Sequence, residues 1–157
     1  MGMNGELCIR AATRADLNAI AALFEAAGID APGTHDAASI AAAWERVHAT
    51  VPSARVLLAE RSGEPVGTLT CFVLPQLGHG GAPAALVEGV AVHPQAQGHG
   101  VGRALMDEAM SIAREAGCYK LALSSNHKRA QAHAFYEHMG YAPHGVSFVV
   151  VPERAAP

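Results

Sequence analysis

The chain has 157 residues, half of them apolar, and a formal net charge of −3 at pH 7. That length suits one domain with a buried core, and that apolar fraction excludes a disordered chain. No run of lysine or arginine makes the basic stripe of a duplex nucleic-acid binder, and no apolar stretch approaches a membrane span. The N-terminal stretch MGMNGELCIR lacks the apolar core of a signal peptide, and Glu6 stands where a myristoylation pattern needs Ser or Thr. Cys8, Cys71 and Cys118 are odd in number, widely spaced and without a CxxC, which fits reduced thiols better than a disulfide framework or a zinc site. The expected location is cytoplasmic.

In chain order, residues 7–13 (LCIRAAT) read as a short strand. Thr13 with Asp16 three residues on starts a helix, and Leu17, Ile20, Ala21 and Phe24 follow at helical spacing up to Gly28. DAPGTHD is a loop. AASIAAAWERVHA (37–49) is a second helix with the single tryptophan, Trp44, and Pro52 follows its end. The period then falls to two: residues 54–60 and 66–74 form a hairpin around Ser62 and Gly63. PQLGHGGAP (75–83) is a loop, and AALVEGVAV (84–92) is the next strand. From Val101 a helix sets Val101, Leu105, Ala109, Ile112 and Ala116 on one face, with Arg103, Asp107 and Arg114 turned away, and Gly117 ends it. YKLALSS (119–125) is a strand, AQAHAFYEHM (130–139) a helix stopped by Gly140, and GVSFVVV (145–151) a last strand. Strand, crossover helix and strand across 84–125 imply a parallel pair in a mixed α/β sheet.

VHPQAQGHGVGRALM (92–106) puts Gly98, Gly100 and Gly102 at alternate positions where a strand gives way to a helix. Each glycine inside a helix costs about 1 kcal/mol relative to alanine, so such a run needs a reason. Backbone N–H groups at a helix N-terminus, the macrodipole and the lack of Cβ atoms together make a seat for phosphate. The alternative is a tight turn with close helix–strand packing and no ligand. A P-loop would need Gly-Lys followed by Ser or Thr, which the chain lacks. A dinucleotide fingerprint begun at Gly98 would need glycine or alanine where Arg103 stands, and an acid at the end of the next strand, which reads LALSSN.

What remains is Q-x-x-G-x-G, Gln97 to Gly102, after VEGVAVHP. In this the chain resembles the GNAT superfamily of acetyl-CoA-dependent N-acetyltransferases. CIRAATRADLNAI is similar to the family's first strand and helix, VLLAERSGEPVGTLTCFVL to its second and third strands, and RAQAHAFYEHMGYAP to its last helix. The resemblance runs in the family's order over about residues 7–151 of a single domain spanning 1–157. It implies an α/β fold, a mixed and largely antiparallel sheet with flanking helices.

The resemblance also implies a site. Gln97, Gly98, His99, Gly100, Val101 and Gly102 hold the pyrophosphate of acetyl-CoA, the co-substrate, through successive amides, and Arg103 meets its negative charge. A bulge splays strand 84–92 from the next strand, so that Val90, Ala91 and Val92 offer backbone groups to the pantetheine arm and the Val92 N–H polarises the acetyl carbonyl. Tyr136 protonates the departing thiolate; by residue pattern alone it is a core aromatic sharing a face with Phe135 and Met139. Glu88, an acid inside an apolar run, is a base acting directly or through water, or else a strand-edge carboxylate in solvent. Arg129 stands where relatives carry an asparagine that contacts pantetheine, and Asn126 is the expected substitute. Exposed arginines are more often solvated, which is the alternative for Arg103 and Arg129.

The activity implied is direct acetyl transfer, without an acyl-enzyme, to a primary amine, preferably of a small molecule. Rival readings are a non-catalytic acyl-CoA sensor and a protein or peptide N-terminal or lysine acetyltransferase. The acceptor is expected between the first two helices (24–44) and loop 75–83, a region holding Phe24, His35, Asp36, Trp44, Gln76 and His79. A homodimer is common in the family. Of nine histidines only His133 and His138 share a helix, five apart and so on different faces, and no metal is expected.

Overall fold

The period-two stretches become strands β1 (Leu7–Ala11), β2 (Arg55–Arg61), β3 (Glu64–Leu74), β4 (Ala84–Val92) and β5 (Lys120–Leu123) in a computed structural model that describes residues 5–152. The helical stretches become α1 (Leu17–Ala26), α2 (Ala37–Thr50), α3 (Val101–Glu115) and α4 (Ala130–His138). The first four residues of the N-terminal stretch read above for a leader lie outside the described residues. The chain divides into two compact units, Met1–Leu123 and Ser124–Pro157.

In the first unit the sheet runs β1-β2-β3-β4-β5, antiparallel throughout except for the parallel β4–β5 pair. This is the mixed, largely antiparallel α/β arrangement expected. Local chemistry fixes the joints. The Asp16 carboxylate accepts hydrogen bonds from the Thr13 N–H (2.7 Å) and hydroxyl (3.0 Å), starting one 3-10 turn that runs into α1. Asp36 and Ser39 cap α2 reciprocally, the Ser39 N–H donating to the Asp36 carboxylate at 2.7 Å and the Asp36 N–H to the Ser39 hydroxyl at 3.0 Å. The β2–β3 hairpin turns through Ser62 and Gly63, both at positive φ (53° and 80°), as a two-residue loop on a right-twisted ribbon requires.

Apolar side chains cover both faces of the sheet. On one face Leu17, Ile20 and Leu23 of α1 and Ile40 of α2 are buried with Leu58 and Ala91, and Phe24 and Trp44 pack against them. On the other face α3 buries Val101, Leu105, Met106, Ala109 and Ala113. The expected α3 stripe is thus rotated towards Met106 and Ala113, while Ala116, which follows the last helical residue, is exposed. Helix and sheet touch most closely at Gly67, where an added Cβ would lie 2.8 Å from Val101 Cγ1 and 3.1 Å from both Leu105 Cδ1 and the Ala91 carbonyl oxygen.

The second unit contains α4, and its residues 142–152 have no regular secondary structure. The expected last strand, 145–151, is therefore not formed. Val146 and Phe148 to Val151 are 80–92% exposed. Their β-branched run has strand propensity, but no neighbouring strand supplies a hydrogen-bonded ladder, and propensity without pairing does not order a strand.

Candidate functional site

β4 changes character halfway along. Its parallel pairing with β5 covers Ala84 to Val87 only. From Glu88 onward β4 keeps β3 as its partner, and the register slips between Thr68 and Thr70, which face Ala91 and Glu88. Two residues, Gly89 and Val90, therefore oppose Leu69 alone, the mark of a bulge. Gly89 sits at φ +62°, a conformation that side chains rarely adopt, and the Phe24 ring lies 3.5 Å from where its Cβ would stand. The bulge expected from the resemblance is present, on the β3 side of β4, and the pairing with β5 stops at Val87.

Beyond the bulge, the His93 N–H donates to the Val66 carbonyl at 2.9 Å. Backbone groups alternate in direction along a strand, so the Val92 N–H and carbonyl face away from β3, on the side that β5 leaves uncovered. Gln97 folds back over this edge, its amide Nε2 donating to the Val92 carbonyl at 3.3 Å. Val90 is half-buried, and Ala91 is buried in the core with α1, which leaves Ala91 only its backbone for binding.

A 3-10 turn, Pro94–Ala96, leads to the glycines. Gly98 (φ +76°) and Gly100 (φ +83°) are both left-handed, and Gly100 caps α3. Gly102 lies inside the first turn of α3. An added Cβ at Gly98 or Gly100 meets nothing within 4 Å. Close helix–strand packing thus explains Gly67 but not the turn glycines, which border open space. Among the described residues, the N–H groups of Gly98, His99 and Gly100 donate to no backbone carbonyl. The first turn of α3 carries no acid, although acids are favoured there, and Arg103 in that turn is exposed. N–H groups without a carbonyl partner, a helix dipole and an exposed arginine are together suited to an anion.

The carbonyl of His99 is held from behind. Arg61, at the end of β2 and only 8% exposed, donates from Nη2 to it at 2.9 Å. Sequence reading passed over Arg61, because 38 residues separate the partners and no motif links them. Glu88 is exposed, opposite Thr70 and immediately before the bulge, so solvent accommodates its charge. His79 (φ +53°) stacks on Tyr119 with ring centres 3.9 Å apart, and Lys120 Nζ stands 5.3 Å from the Tyr119 ring centre, which anchors loop 75–83. In the α1–α2 loop His35 Nε2 lies 3.1 Å from the Asp30 carboxylate, and the Gly33 N–H donates to Glu25 at 2.8 Å.

In the second unit Tyr136 is half-buried on α4, edge-on to Phe135 (5.1 Å) and Tyr141 (6.0 Å). Burial pushes its hydroxyl pKa above the usual tyrosine value, against a smaller opposing pull from Arg129. The phenol is therefore protonated near neutral pH. Asn126 accepts the Lys128 N–H on its side-chain oxygen (3.0 Å), while its main-chain carbonyl accepts from the Arg129 N–H at 2.9 Å. Arg129 is the exposed residue preceding α4. Among the described residues no group of three or more His, Cys, Asp or Glu side chains could hold a metal ion.

The family model of the acetyltransferase (GNAT) family matches residues 17–141. Glucosamine 6-phosphate N-acetyltransferase of Trypanosoma brucei brucei is 33% identical over 90 residues, which make up 57% of this chain and 59% of that protein. Aminoalkylphosphonate N-acetyltransferase of Salmonella typhimurium (strain LT2) is 36% identical over 90 residues, 57% of this chain and 58% of that one. The matches thus span less than two thirds of these curated relatives. A solved structure of a protein of Agrobacterium tumefaciens str. C58, put forward as an acetyltransferase, superposes with a TM-score of 0.83 at 27% identity, over 92% of this chain and 99% of that one. Bulged strand, glycine turn and family model coincide in one stretch, and the chain belongs to the GNAT acetyltransferase family.

Proposed function

We propose that the chain binds acetyl-CoA along β4 and the 97–102 turn and transfers its acetyl group directly to a primary amine of a small molecule. The observation that carries this is the continuity of three features: the β4 edge that β5 leaves unpaired from Glu88, the bulge at Gly89, and the open turn lined with N–H groups at the start of α3. Acetyl-CoA supplies the acyl group already activated as a thioester. In the transfer a C–N bond forms and the C–S bond breaks, the amine losing a proton and the sulfur gaining one.

The residues divide this work. The amides of the turn and Arg103 hold the pyrophosphate. The Val92 N–H, facing away from β3, donates to the acyl oxygen as its charge grows. An alkyl ammonium ion, with a pKa of about 10.4, must lose a proton before it attacks. Glu88, exposed beside the bulge, takes that proton directly or through water. Tyr136, kept protonated by burial, supplies a proton to the departing sulfur. The acceptor enters beside the bulge, where the Phe24 ring stands.

The relatives' names supply the first acceptors to try, since two of them act on amines that carry a phosphate or phosphonate. Release of CoA thiol from acetyl-CoA is measured over hexosamine phosphates, aminoalkylphosphonates, aminoglycosides and amino-terminal peptides, with an acceptor-free blank for the protein's own thiols. Turnover with one class of small amine, sharply reduced in Tyr136→Phe, is the expected result. Turnover with peptides alone would favour a protein acetyltransferase, and binding of acetyl-CoA without any turnover would favour a sensor.

A further inference from the structure

We infer that Arg61 is a positioning residue for the anion-binding turn: its buried guanidinium fixes the 99–100 peptide so that the Gly100 N–H faces the ligand. The inference rests on the acetyl-CoA reading above for the identity of that ligand, and on geometry alone for the brace.

Arg61 closes β2, in register with Leu7 of β1 and Glu64 of β3. An arginine residue that is only 8% exposed is costly unless its guanidinium is hydrogen-bonded, so its partners are a structural commitment. One of them is the His99 carbonyl, 2.9 Å from Nη2. A trans peptide holds its C=O and the following N–H in opposite directions, and the described chain has no cis bonds. Drawing the His99 oxygen towards β2 therefore turns the Gly100 N–H away from the sheet.

The brace is needed because of the glycines. Gly98 and Gly100 flank this peptide, at φ +76° and +83°. Glycine adopts either sign of φ at similar cost, so the same freedom that lets an anion approach also lets the peptide turn over. In the flipped state a carbonyl oxygen would face the pyrophosphate where an N–H should. A side-chain donor from a neighbouring strand removes that state without adding a Cβ to the cradle. Arg61 also places a buried positive charge behind the N-terminus of α3, adding to the helix dipole at the point where the anion sits.

The test compares two acyl donors that differ in the pyrophosphate. Arg61→Met should raise the KM for acetyl-CoA by about tenfold or more, the loss expected for a misdirected hydrogen bond to a charged group. It should leave the KM for S-acetylpantetheine, which lacks the pyrophosphate, unchanged, and Arg61→Lys should recover part of the loss. An equal rise for both donors would mean a purely structural role and would overturn the inference, as would no rise. Glycine-selective 15N spectra of the ligand-free protein decide the brace independently. A single sharp Gly100 amide signal in the wild type should broaden or double in Arg61→Met, or in Arg61→Lys if the methionine variant does not fold. An unchanged Gly100 signal would refute the brace. Failure of wild-type protein to bind acetyl-CoA would instead refute the functional reading, leaving the spectra to judge the brace.

Discussion

Gly100→Ala separates a turn that binds an anion from one that is merely tight. The folded chain holds Gly100 at φ +83° with open space where a Cβ would go. Alanine in that conformation costs about 1–2 kcal/mol of backbone strain, and the stiffer unfolded chain returns about 0.4–1 kcal/mol. The net loss is about 1 kcal/mol, small beside the 5–15 kcal/mol by which domains are typically stable, so the variant folds. The new methyl projects about 1.5 Å from the Cα into the cradle, where a phosphate oxygen would approach the amide. Acetyl-CoA affinity should therefore fall at least about tenfold, equivalent to about 1.4 kcal/mol. Gly117→Ala is the control, because Gly117 also sits at positive φ (+69°) with nothing within 4 Å, at the far end of α3. Urea unfolding should report similar losses for both variants, and calorimetric titration with acetyl-CoA should register only Gly100→Ala. If both variants bind acetyl-CoA like the wild type, the turn is only a turn and the donor site has been misplaced.

Gly67→Ala should destabilise the protein by about 1–3 kcal/mol in urea unfolding, since the new Cβ lands 2.8 Å from Val101 Cγ1 and 3.1 Å from a backbone oxygen that does not yield easily. Asp16→Asn should cost about 1–2 kcal/mol at pH 7, because the Asp16 carboxylate takes a bidentate pair from Arg10 at 2.8 Å and caps Thr13, a figure already discounted for the partial exposure of Arg10. The Arg10 hydrogen bonds hold the Asp16 pKa well below the usual carboxylate range. Its stabilisation is therefore complete above about pH 4 and is lost as pH falls towards the depressed folded value. The gap between wild type and Asp16→Asn in urea unfolding should accordingly narrow between pH 4 and pH 2, and a constant gap would refute this account.

The parts of the site that were legible in the sequence are those in which the backbone itself does the binding. Amides can line a turn closely only if Cβ atoms are missing, so the donor site left a visible run of glycines. The bulge showed less directly: Gly89 gave no pattern of its own, and only the resemblance placed a splay there. Side chains that act across the sheet left no trace. Arg61 falls just past the expected strand 54–60, in the hairpin turn, and only folding sets it behind His99. Gly67 is one unmarked residue of the expected strand 66–74 until α3 packs on it. The 145–151 stretch failed in the opposite direction, since a run of valines states a preference for extended backbone and says nothing of a neighbour to pair with.

The same division bears on how one fold serves several acceptors. The proposed donor end of the site is set by strand register, a bulge and a helix start, all of which depend on the sheet staying as it is. The proposed acceptor end lies beside Gly89 and Phe24, and the α1–α2 loop that follows Phe24 in the chain takes its shape from a few polar contacts: Gly33 with Glu25, and His35 with Asp30. Changing those side chains leaves the β4 register and the glycine turn untouched, so acceptor choice can shift while donor binding stays constant. Arg61 belongs to the donor end by this logic. It is tied to the turn and not to the loops, so its loss should weaken acetyl-CoA binding whichever amine is offered.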